Sequence, residues 1–264
     1  MLPPIRFRFL ELPRASAFAG KSGEYINGFS TYAEYNYLRG GLAAHVKAAH
    51  FEIALRVSQP WFGRANVIDF GCADGVFLPT LSRRFPHVLG VDLDPSSVET
   101  AELMASNLGL RNVELRSSRG VSVGQLRDRL GDTQYELLFL LETLEHIGEP
   151  ERLYESRADF VTELFGLLKP DGVIIVSVPT MVGFPFLLQR LALARLGLHR
   201  DPLPTRDLLR AVAFRDTTRL EPGWTPETHL GFNHVRLLRV LRERMQVLRH
   251  ESLFFSELFM LRQR

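Results

Sequence analysis

Acidic residues and glycines follow two predicted strands of this sequence in a pattern that suits a nucleotide-like ligand. The stretch VIDFGCADG runs through Asp69 into a glycine-rich turn, and GVDLDP places Asp92 at the end of the next strand. Glycines let a ligand approach the main chain closely, and backbone amides at the start of the following helix point toward it. A carboxylate at the second strand end can accept hydrogen bonds from a ribose diol. The pattern therefore predicts a ribose-containing ligand, and the alternative is a tight turn that binds nothing.

The glycine spacing of this turn argues against a dinucleotide. The fingerprint G-x-G-x-x-G is absent, because position 73 is alanine and no third glycine follows Gly75. A dehydrogenase on the same type of sheet is therefore disfavoured.

The stretch ETLEH follows the predicted strand YELLFLL and supplies a second group of reactive side chains. Glu142, Glu145 and His146 stand at i, i+3 and i+4, which predicts that they share one face of a helical turn. His146 is the predicted general base, with Glu142 beside it, because an ordinary imidazole pKa of about 6.5 suits proton abstraction at neutral pH. The alternative is a histidine that only caps a helix or bonds a backbone carbonyl.

The same side chains are also of the types that bind a divalent metal ion. Two carboxylates and an imidazole suit Mg²⁺ or a softer ion, and His229 or His234 would add a nitrogen. We predict no metal ion, and a divalent metal is the less favoured alternative. The residues that would hold one are Glu142, Glu145, His146 and His229.

The elements that position these residues form an alternating series from Ala65 onward. Strands are predicted at ANVIDF, HVLGVDL, NVELR, YELLFLL and GVIIVSV, with helices between them and a turn at KPDG. Strands that alternate with helices form parallel units with helices on both faces of one sheet. After a helix at NHVRLLRVLRER, the runs MQVLRHE and LFFSELFML are predicted to close the sheet edge as an antiparallel pair.

In the order of its motifs, the chain resembles the class I S-adenosylmethionine (SAM)-dependent methyltransferases, among them the small-molecule type 11, 12 and 23 groups. The motifs that carry the resemblance are VIDFGCADG, GVDLDPSSVE, LLFLLETLEH and LLKPDGVIIVSVP, followed more weakly by THLGFNHVRLLRVL. The resemblance implies an α/β fold, a doubly wound, mostly parallel seven-stranded sheet of the Rossmann-like methyltransferase type. It also implies that the cofactor lies across the strand ends. Metal-dependent small-RNA and quinone-pathway methyltransferases contain a stretch similar to ETLEH, as do relatives without metal.

The resemblance also implies roles for individual residues. Asp69 would orient the glycine loop, Asp92 would hold the ribose hydroxyls and Leu93 would pack on the adenine. The loop residues assigned to the cofactor are Gly71, Cys72, Ala73 and Gly75, and Glu142 is assigned to it from the fourth strand. Two departures from the family pattern affect this site. Ala73 stands where glycine is more frequent, and Ser117 and Ser118 replace the acid expected beside the adenine.

Two segments lie outside the alternating series. Residues 1–60 are predicted to form an N-terminal helical cap whose Tyr25, Tyr32, Tyr35 and Tyr37 either cover a ligand or pack on the sheet. Residues 61–264 are predicted to form the methyltransferase domain. Residues 180–228, after the fifth strand, are an insertion expected to cover the substrate. The leucines and arginines of FLLQRLALARLG within it suit either packing on their own domain or contact with a bilayer surface or a lipid-linked substrate.

The predicted reaction is transfer of a methyl group from SAM to an oxygen of a metabolite, sugar or lipid-linked intermediate, with S-adenosylhomocysteine (SAH) as product. Two alternatives stay open, an RNA methyltransferase with a metal-assisted site and a SAM-binding protein without transfer activity. A formal net charge of +2 and the lack of an RNA-recognition motif argue against a nucleic acid partner. The single cysteine, Cys72, and the absence of an export signal pattern predict a cytoplasmic protein. No pattern sets an oligomeric state.

Overall fold

The computed structural model describes residues 7–26, 28–131, 133–195 and 203–264, which divide between two compact units. The first unit comprises Met1–Leu141 and Leu164–Ile175, and the second comprises Glu142–Glu163 and Val176–Arg264. Within the described ranges, no helix combines the length and the apolar character needed to cross a membrane. The predicted domain boundaries stay predictions, and residues 196–202 of the predicted insertion lie outside the described ranges.

The strands follow the predicted apolar runs closely. They are β1 Asn66–Phe70, β2 His87–Asp92, β3 Val113–Ser117, β4 Tyr135–Leu141, β5 Leu168–Pro179, β6 Met245–Ser252 and β7 Ser256–Gln263. Six of the seven residues of β4 are buried, and so are the four central residues of β2. Strands that are covered on both faces read as continuous apolar runs, which is why the sequence locates them well.

The described residues form one seven-stranded sheet in the order β3-β2-β1-β4-β5-β7-β6. β1 pairs in parallel with β2 and β4, and β2 pairs in parallel with β3. β6 and β7 pair antiparallel, so that Met245 lies opposite Gln263. The predicted doubly wound, mostly parallel sheet with a closing antiparallel pair is therefore confirmed.

Several of the helices begin at a residue whose side chain caps the first turn. They are α1 Gly41–Ser58, α2 Leu78–Arg84, α3 Pro95–Asn107, α4 Val123–Leu130, α5 Leu153–Leu164, α6 Gly183–Arg195, α7 Thr205–Ala213 and α8 His234–Arg244. The Asp94 carboxylate accepts a hydrogen bond from the Ser97 amide at 3.1 Å and so caps α3. The Asn233 side chain accepts one from the Val235 amide at 3.0 Å at the start of α8. Each cap satisfies an amide that the helix itself leaves unpaired.

The KPDG turn lies inside the bounds of β5, whereas the sequence predicted that the strand begins after it. The chain does bend at KPDG as predicted, because a Cβ added to Gly172 would lie 2.5 Å from the Cβ of Leu168. The chain therefore doubles back between these two residues before it continues through the buried part of the strand.

The N-terminal segment of the first unit is held by one buried carboxylate. Glu52 of α1 accepts hydrogen bonds at 2.9–3.1 Å from the three consecutive backbone amides of residues 8–10. Glu52 is buried, and three amide donors compensate the cost of placing its charge away from water. The segment is thereby fixed to α1.

Three of the four tyrosines of the predicted cap form a chain of edge-to-face contacts. The ring centroids of Tyr25 and Tyr32 are 5.9 Å apart, and so are those of Tyr32 and Tyr37. Tyr37 is buried and packs against Phe51 of α1 at 5.3 Å, whereas Tyr25 is half exposed. Tyr37 thus has the packing role, and a role of Tyr25 or Tyr32 at a ligand stays a prediction.

The described part of the insertion has a small apolar core within the second unit. Phe186 of α6, Ala211 of α7 and Leu220 are buried together, and partly buried side chains surround them, namely Met181, Leu203, Leu208, Val212 and Leu230. Phe186 of the stretch FLLQRLALARLG belongs to this core, whereas Leu188 of the same stretch is exposed. Phe184 and Leu191 stay exposed.

Candidate functional site

The glycine-rich loop between β1 and α2 turns through three left-handed residues. The φ angles of Gly71, Ala73 and Gly75 are +84°, +47° and +82°. Glycine adopts these angles without a steric penalty, whereas an alanine there costs about 1 kcal/mol or more. The amides of Gly71 and Cys72 donate to the carbonyl oxygen of Val91 at 2.7 and 3.1 Å, which holds the loop against the end of β2.

Gly75 is required by packing as well as by its backbone angle. A Cβ at this position would lie 2.9 Å from side-chain atoms of Ala101, Leu78 and Met104. Helix α3 therefore approaches the loop so closely that no side chain fits at position 75. This contact fixes the loop relative to both α2 and α3.

Asp92 at the end of β2 accepts hydrogen bonds from two loop amides. Its Oδ2 is 2.8 Å from the Ala73 amide and its Oδ1 is 2.9 Å from the Asp94 amide. Each carboxylate oxygen has further acceptor capacity, so the two bonds orient the group without exhausting it. Leu93, which follows, is a large apolar side chain that is 65% exposed. An oriented carboxylate beside an uncovered leucine matches what a ribose and an adjacent apolar ring require.

Two buried carboxyl groups near this loop, those of Asp69 and Asp74, are affected by the charge of Asp92. Asp69 is buried, and burial together with the nearby Asp92 charge raises its pKa to about 7. Asp74 is also buried, and burial raises its pKa to about 6 although its Oδ2 accepts a hydrogen bond from the Ala33 amide at 2.6 Å. The sequence reasoning did not single out Asp74, and its acid type within the loop was the signal that would have found it. Such a concentration of negative charge favours a cationic ligand.

The corner beside β3 is built by serines, as the sequence indicated. The Ser118 amide donates to the Asp92 carbonyl at 2.8 Å, and the Ser117 hydroxyl lies 3.5 Å from the Leu93 carbonyl. These contacts fix the backbone next to Asp92. Hydroxyl groups thus stand where the family pattern has an acid.

Glu142 is the first residue of the ETLEH stretch, which belongs to the second unit. Its φ angle is +48°, an uncommon conformation for a non-glycine residue and one that concentrates at functional sites. Ser177 binds both the backbone and the side chain of Glu142. The Ser177 hydroxyl accepts a hydrogen bond from the Glu142 amide at 3.1 Å and donates one to Oε1 of Glu142 at 3.0 Å. Burial raises the pKa of Glu142 to about 7, although hydrogen bonds with Ser177 and Ser256 oppose that rise. Ser177 and Ser256 carry no motif that marked them in the sequence.

The ETLEH stretch does not form the predicted helical face. The left-handed backbone of Glu142 cannot join a right-handed helix, and only Leu144–His146 form a 3-10 turn. Glu145 is buried, and burial and the Glu142 charge raise its pKa well above the usual range. His146 is exposed on the same turn. The three residues therefore do not share one helix face.

His146 and His229 lie together in the second unit. The Nδ1 atom of His146 is 2.7 Å from the Pro226 carbonyl oxygen and 2.9 Å from Nε2 of His229. Burial and the neighbouring His146 lower the pKa of His229 to about 4, so His229 is neutral at pH 7. His234, the other histidine considered, is buried with Nε2 3.7 Å from Glu257 Oε1.

These side chains do not fit a metal ion in the arrangement observed. Across the described residues, no three histidine, cysteine or acidic side chains come together as a metal site requires. His146 Nδ1 already faces the Pro226 carbonyl at 2.7 Å. We therefore derive no step through a metal ion, and chelation remains a direct test.

Comparison of the sequence with curated proteins finds relatives with a methyltransferase name. The chain is 26% identical over 167 residues to the ubiquinone biosynthesis O-methyltransferase of Maricaulis maris, covering 63% of this chain and 60% of that protein. It is 26% identical over 171 residues to the enzyme of the same name from Leptothrix cholodnii, covering 65% and 66%. The match thus spans less than two thirds of the length of these relatives.

Solved structures share the fold at low sequence identity. A SAM-dependent methyltransferase from Aquifex aeolicus aligns with a TM-score of 0.51 and 18% identity, covering 80% of this chain and 88% of that one. Magnesium protoporphyrin IX methyltransferase from Synechocystis PCC 6803, solved with bound SAH, aligns with a TM-score of 0.53 and 16% identity, covering 90% and 91%. At these identities the comparison shows the fold.

A family described as a methyltransferase domain matches residues 42–225, which is well over half of the chain. The match includes the glycine loop, Asp92 and the ETLEH stretch. The chain therefore belongs to this methyltransferase family, and the predicted class, a class I SAM-dependent methyltransferase, is confirmed.

Proposed function

We propose that this protein transfers a methyl group from SAM to a hydroxyl oxygen of a small molecule. The observation that carries the proposal is the Asp92 carboxylate, which accepts the Ala73 amide of the left-handed loop at 2.8 Å and stands beside exposed Leu93. A ribose diol would use the remaining lone pairs of Asp92, and the adenine would cover Leu93. The carboxyl groups of Asp69 and Asp74 suit a ligand that carries a positively charged sulfonium.

The reaction requires little covalent chemistry from the protein. A lone pair of the acceptor oxygen forms the new bond to the methyl carbon while the carbon–sulfur bond breaks, and that electron pair remains on sulfur in SAH. The hydroxyl proton passes to a base. Alignment of oxygen, methyl carbon and sulfur can lower the barrier by roughly 7–11 kcal/mol. Positioning is therefore the main contribution of the chain.

Two residues of the second unit are the proposed bases. Glu142 has a pKa of about 7, close to the pH at which a base is effective, and Ser177 fixes its carboxylate. His146, on the following turn, presents its imidazole as the second base. A positioned base contributes about 100- to 10,000-fold to such a rate. Glu142 and His146 remain our proposed catalytic residues.

The class of acceptor rests on the relatives and on this chemistry. The relatives named above are O-methyltransferases of ubiquinone biosynthesis, and a general base of raised pKa suits a hydroxyl acceptor. A screen with radiolabelled SAM against phenolic, sugar and lipid-linked hydroxyl compounds tests this class. An RNA acceptor and a protein that binds SAM without transfer are the competing outcomes of the same screen.

The first experiment is a calorimetric titration with SAM and SAH. We compare the wild-type protein with Asp92→Ala and Asp92→Asn, and use Asp128→Ala, an exposed acid of α4, as the matched control. We expect saturable binding that Asp92→Ala abolishes or weakens by at least about tenfold, since a hydrogen bond to a charged group contributes about 1.5–3 kcal/mol. Asp128→Ala should bind as the wild type does.

Two results would contradict the cofactor proposal. One is a folded wild-type protein that binds neither SAM nor SAH, and the other is wild-type affinity in Asp92→Ala. The titration is repeated with EDTA during the acceptor screen. Loss of transfer on chelation would restore the metal hypothesis for Glu142, Glu145, His146 and His229.

A further inference from the structure

Two contacts of the Nδ1 atom of His146 bear on which ring nitrogen carries the proton. A carbonyl oxygen can only accept, so the 2.7 Å contact with Pro226 requires a hydrogen on Nδ1 of His146. In the competing arrangement, His229 Nε2 would donate to Nδ1 across 2.9 Å. Two lone pairs would then face each other between His146 and Pro226, which is repulsive. The contacts therefore select the Nδ1-protonated tautomer.

The carbonyl that selects this tautomer belongs to a compact turn of residues 224–229, which we call the anchor segment. The His229 amide donates to the Thr225 carbonyl at 3.0 Å, and the Thr225 and Thr228 hydroxyls lie 3.1 Å apart. These bonds keep the Pro226 carbonyl and the His229 ring in one local arrangement. The segment therefore reaches His146 as a unit.

Trp224 attaches the anchor segment to the turn that carries His146. Its indole Nε1 donates to the Glu145 carbonyl oxygen at 3.1 Å, and the Trp224 side chain is buried. Glu145 is the residue next to His146. A hydrogen bond at one end of the segment thus sets where the Pro226 carbonyl lies, two residues further on.

Arg157 of α5 contacts both the turn that carries His146 and the ring of Trp224. Its guanidinium donates to the carbonyl oxygens of Leu144, Glu145 and Ile147 at 3.1, 3.2 and 2.8 Å. It also lies 5.2 Å from the centroid of the Trp224 ring, a cation–π distance. Arg157 is fully buried, and burying a guanidinium is costly unless carbonyls and aromatic faces compensate it. The arginine thus has a defined task, to fix the turn and the tryptophan together.

We propose that the anchor segment, held by Trp224 and Arg157, fixes His146 in the Nδ1-protonated tautomer and so makes Nε2 its basic nitrogen. Arg157, Trp224 and Pro226 are then positioning residues for His146, and two of them, Trp224 and Pro226, belong to the predicted insertion. The role of His146 in catalysis rests on the proposed function, whereas the tautomer itself does not.

The test is imidazole nitrogen NMR on the uniformly ¹⁵N-labelled full chain without cofactor. Long-range nitrogen–proton correlation separates the two neutral tautomers, at a pH well above the ordinary imidazole value of about 6.5. His146→Gln assigns the His146 signals. The variants are Trp224→Phe, which keeps an aromatic ring but removes the N–H, and Arg157→Met. Arg152→Met, at an exposed arginine five residues before Arg157, is the matched control.

We expect the wild type to be mainly Nδ1-protonated at His146. Trp224→Phe and Arg157→Met should each shift the tautomer ratio about five- to tenfold toward the Nε2-protonated form, because each loses a hydrogen bond that places the Pro226 carbonyl. Arg152→Met should keep the wild-type ratio. An Nε2-protonated wild type, or a variant that keeps the wild-type ratio, overturns the proposal. If Arg157→Met fails to fold, Trp224→Phe alone decides. Because no cofactor is present, this outcome is independent of the titration with SAM.

Discussion

Asp69 is a buried carboxyl group whose charge changes near neutral pH, since burial and Asp92 raise its pKa to about 7. SAM is a cation, so it binds more tightly when Asp69 is ionised, and its binding should release a proton. We therefore predict that the affinity for SAM rises between pH 6 and 8, by less than tenfold per pH unit. Calorimetry in buffers of different ionisation enthalpy measures both the affinity for SAM and the number of protons that its binding releases.

Asp69→Asn is the control for this pH dependence. The amide has no charge to lose, so its affinity should be lower and should vary less with pH. An affinity of the wild type that is constant over this range, or an equal slope in Asp69→Asn, would show that Asp69 is not the titrating group.

At the same scale, the sequence located some site residues and missed others for a physical reason. Asp69 and Asp92 end apolar strands, so their position at the sheet edge follows from local pattern. Ser177, Arg157 and Pro226 act through hydrogen bonds to residues 35, 13 and 80 positions away. Such pairs are set by tertiary structure, and no local spacing reveals them.

The glycine loop illustrates how one element constrains another. We predict that Gly75→Ala destabilises the protein by about 1–3 kcal/mol more than Gly109→Ala does. Both glycines have positive φ angles, +82° and +64°, so both variants incur backbone strain. Only at Gly75 would the added methyl group meet Ala101, Leu78 and Met104 at 2.9 Å, whereas nothing lies within 4 Å at Gly109.

Urea unfolding followed by circular dichroism measures this difference. Equal free energies of unfolding for the two variants would mean that α3 yields to the methyl group, which contradicts close packing at position 75. SAM titration of Gly75→Ala reports in addition whether the loop keeps its ligand-binding form.

Strands and helices were predicted well because each is marked by its own residues. Apolar runs locate β1 to β4, and Asp94 followed by Pro95 marks the start of α3. The helical face of ETLEH was predicted wrongly, because spacing assumes regular backbone and Glu142 has a left-handed one. The hydrogen bonds between Glu142 and Ser177 hold the backbone in this conformation against the local preference.

At the scale of the whole molecule, the single cysteine serves as a probe of opening. Cys72 is 5% exposed, and burial raises its thiol pKa, with a further contribution from the Asp69, Asp92 and Asp74 charges. We predict that a thiol reagent labels the native protein at least about 100-fold more slowly than the urea-unfolded chain, since reaction requires both opening and a thiolate. SAM should slow labelling further, because it binds the same loop.

Cys72→Ala provides the blank for this measurement, as the chain has one cysteine. A native rate close to the unfolded rate would show that the loop opens freely. Slow labelling that SAM leaves unchanged would instead separate the thiol from the ligand site.

The hydrogen bonds of Glu52 to the amides of residues 8–10 also bear on the order in which the chain folds. The amides lie 42 to 44 positions before the carboxylate, and the next amide, of Glu11, binds Thr80 across 69 positions. Closing loops of this length costs entropy that only an already formed α1 and α2 can repay. We therefore expect residues 8–10 to dock after α1 and α2 have formed, and until then Phe9 and Leu10 stay uncovered.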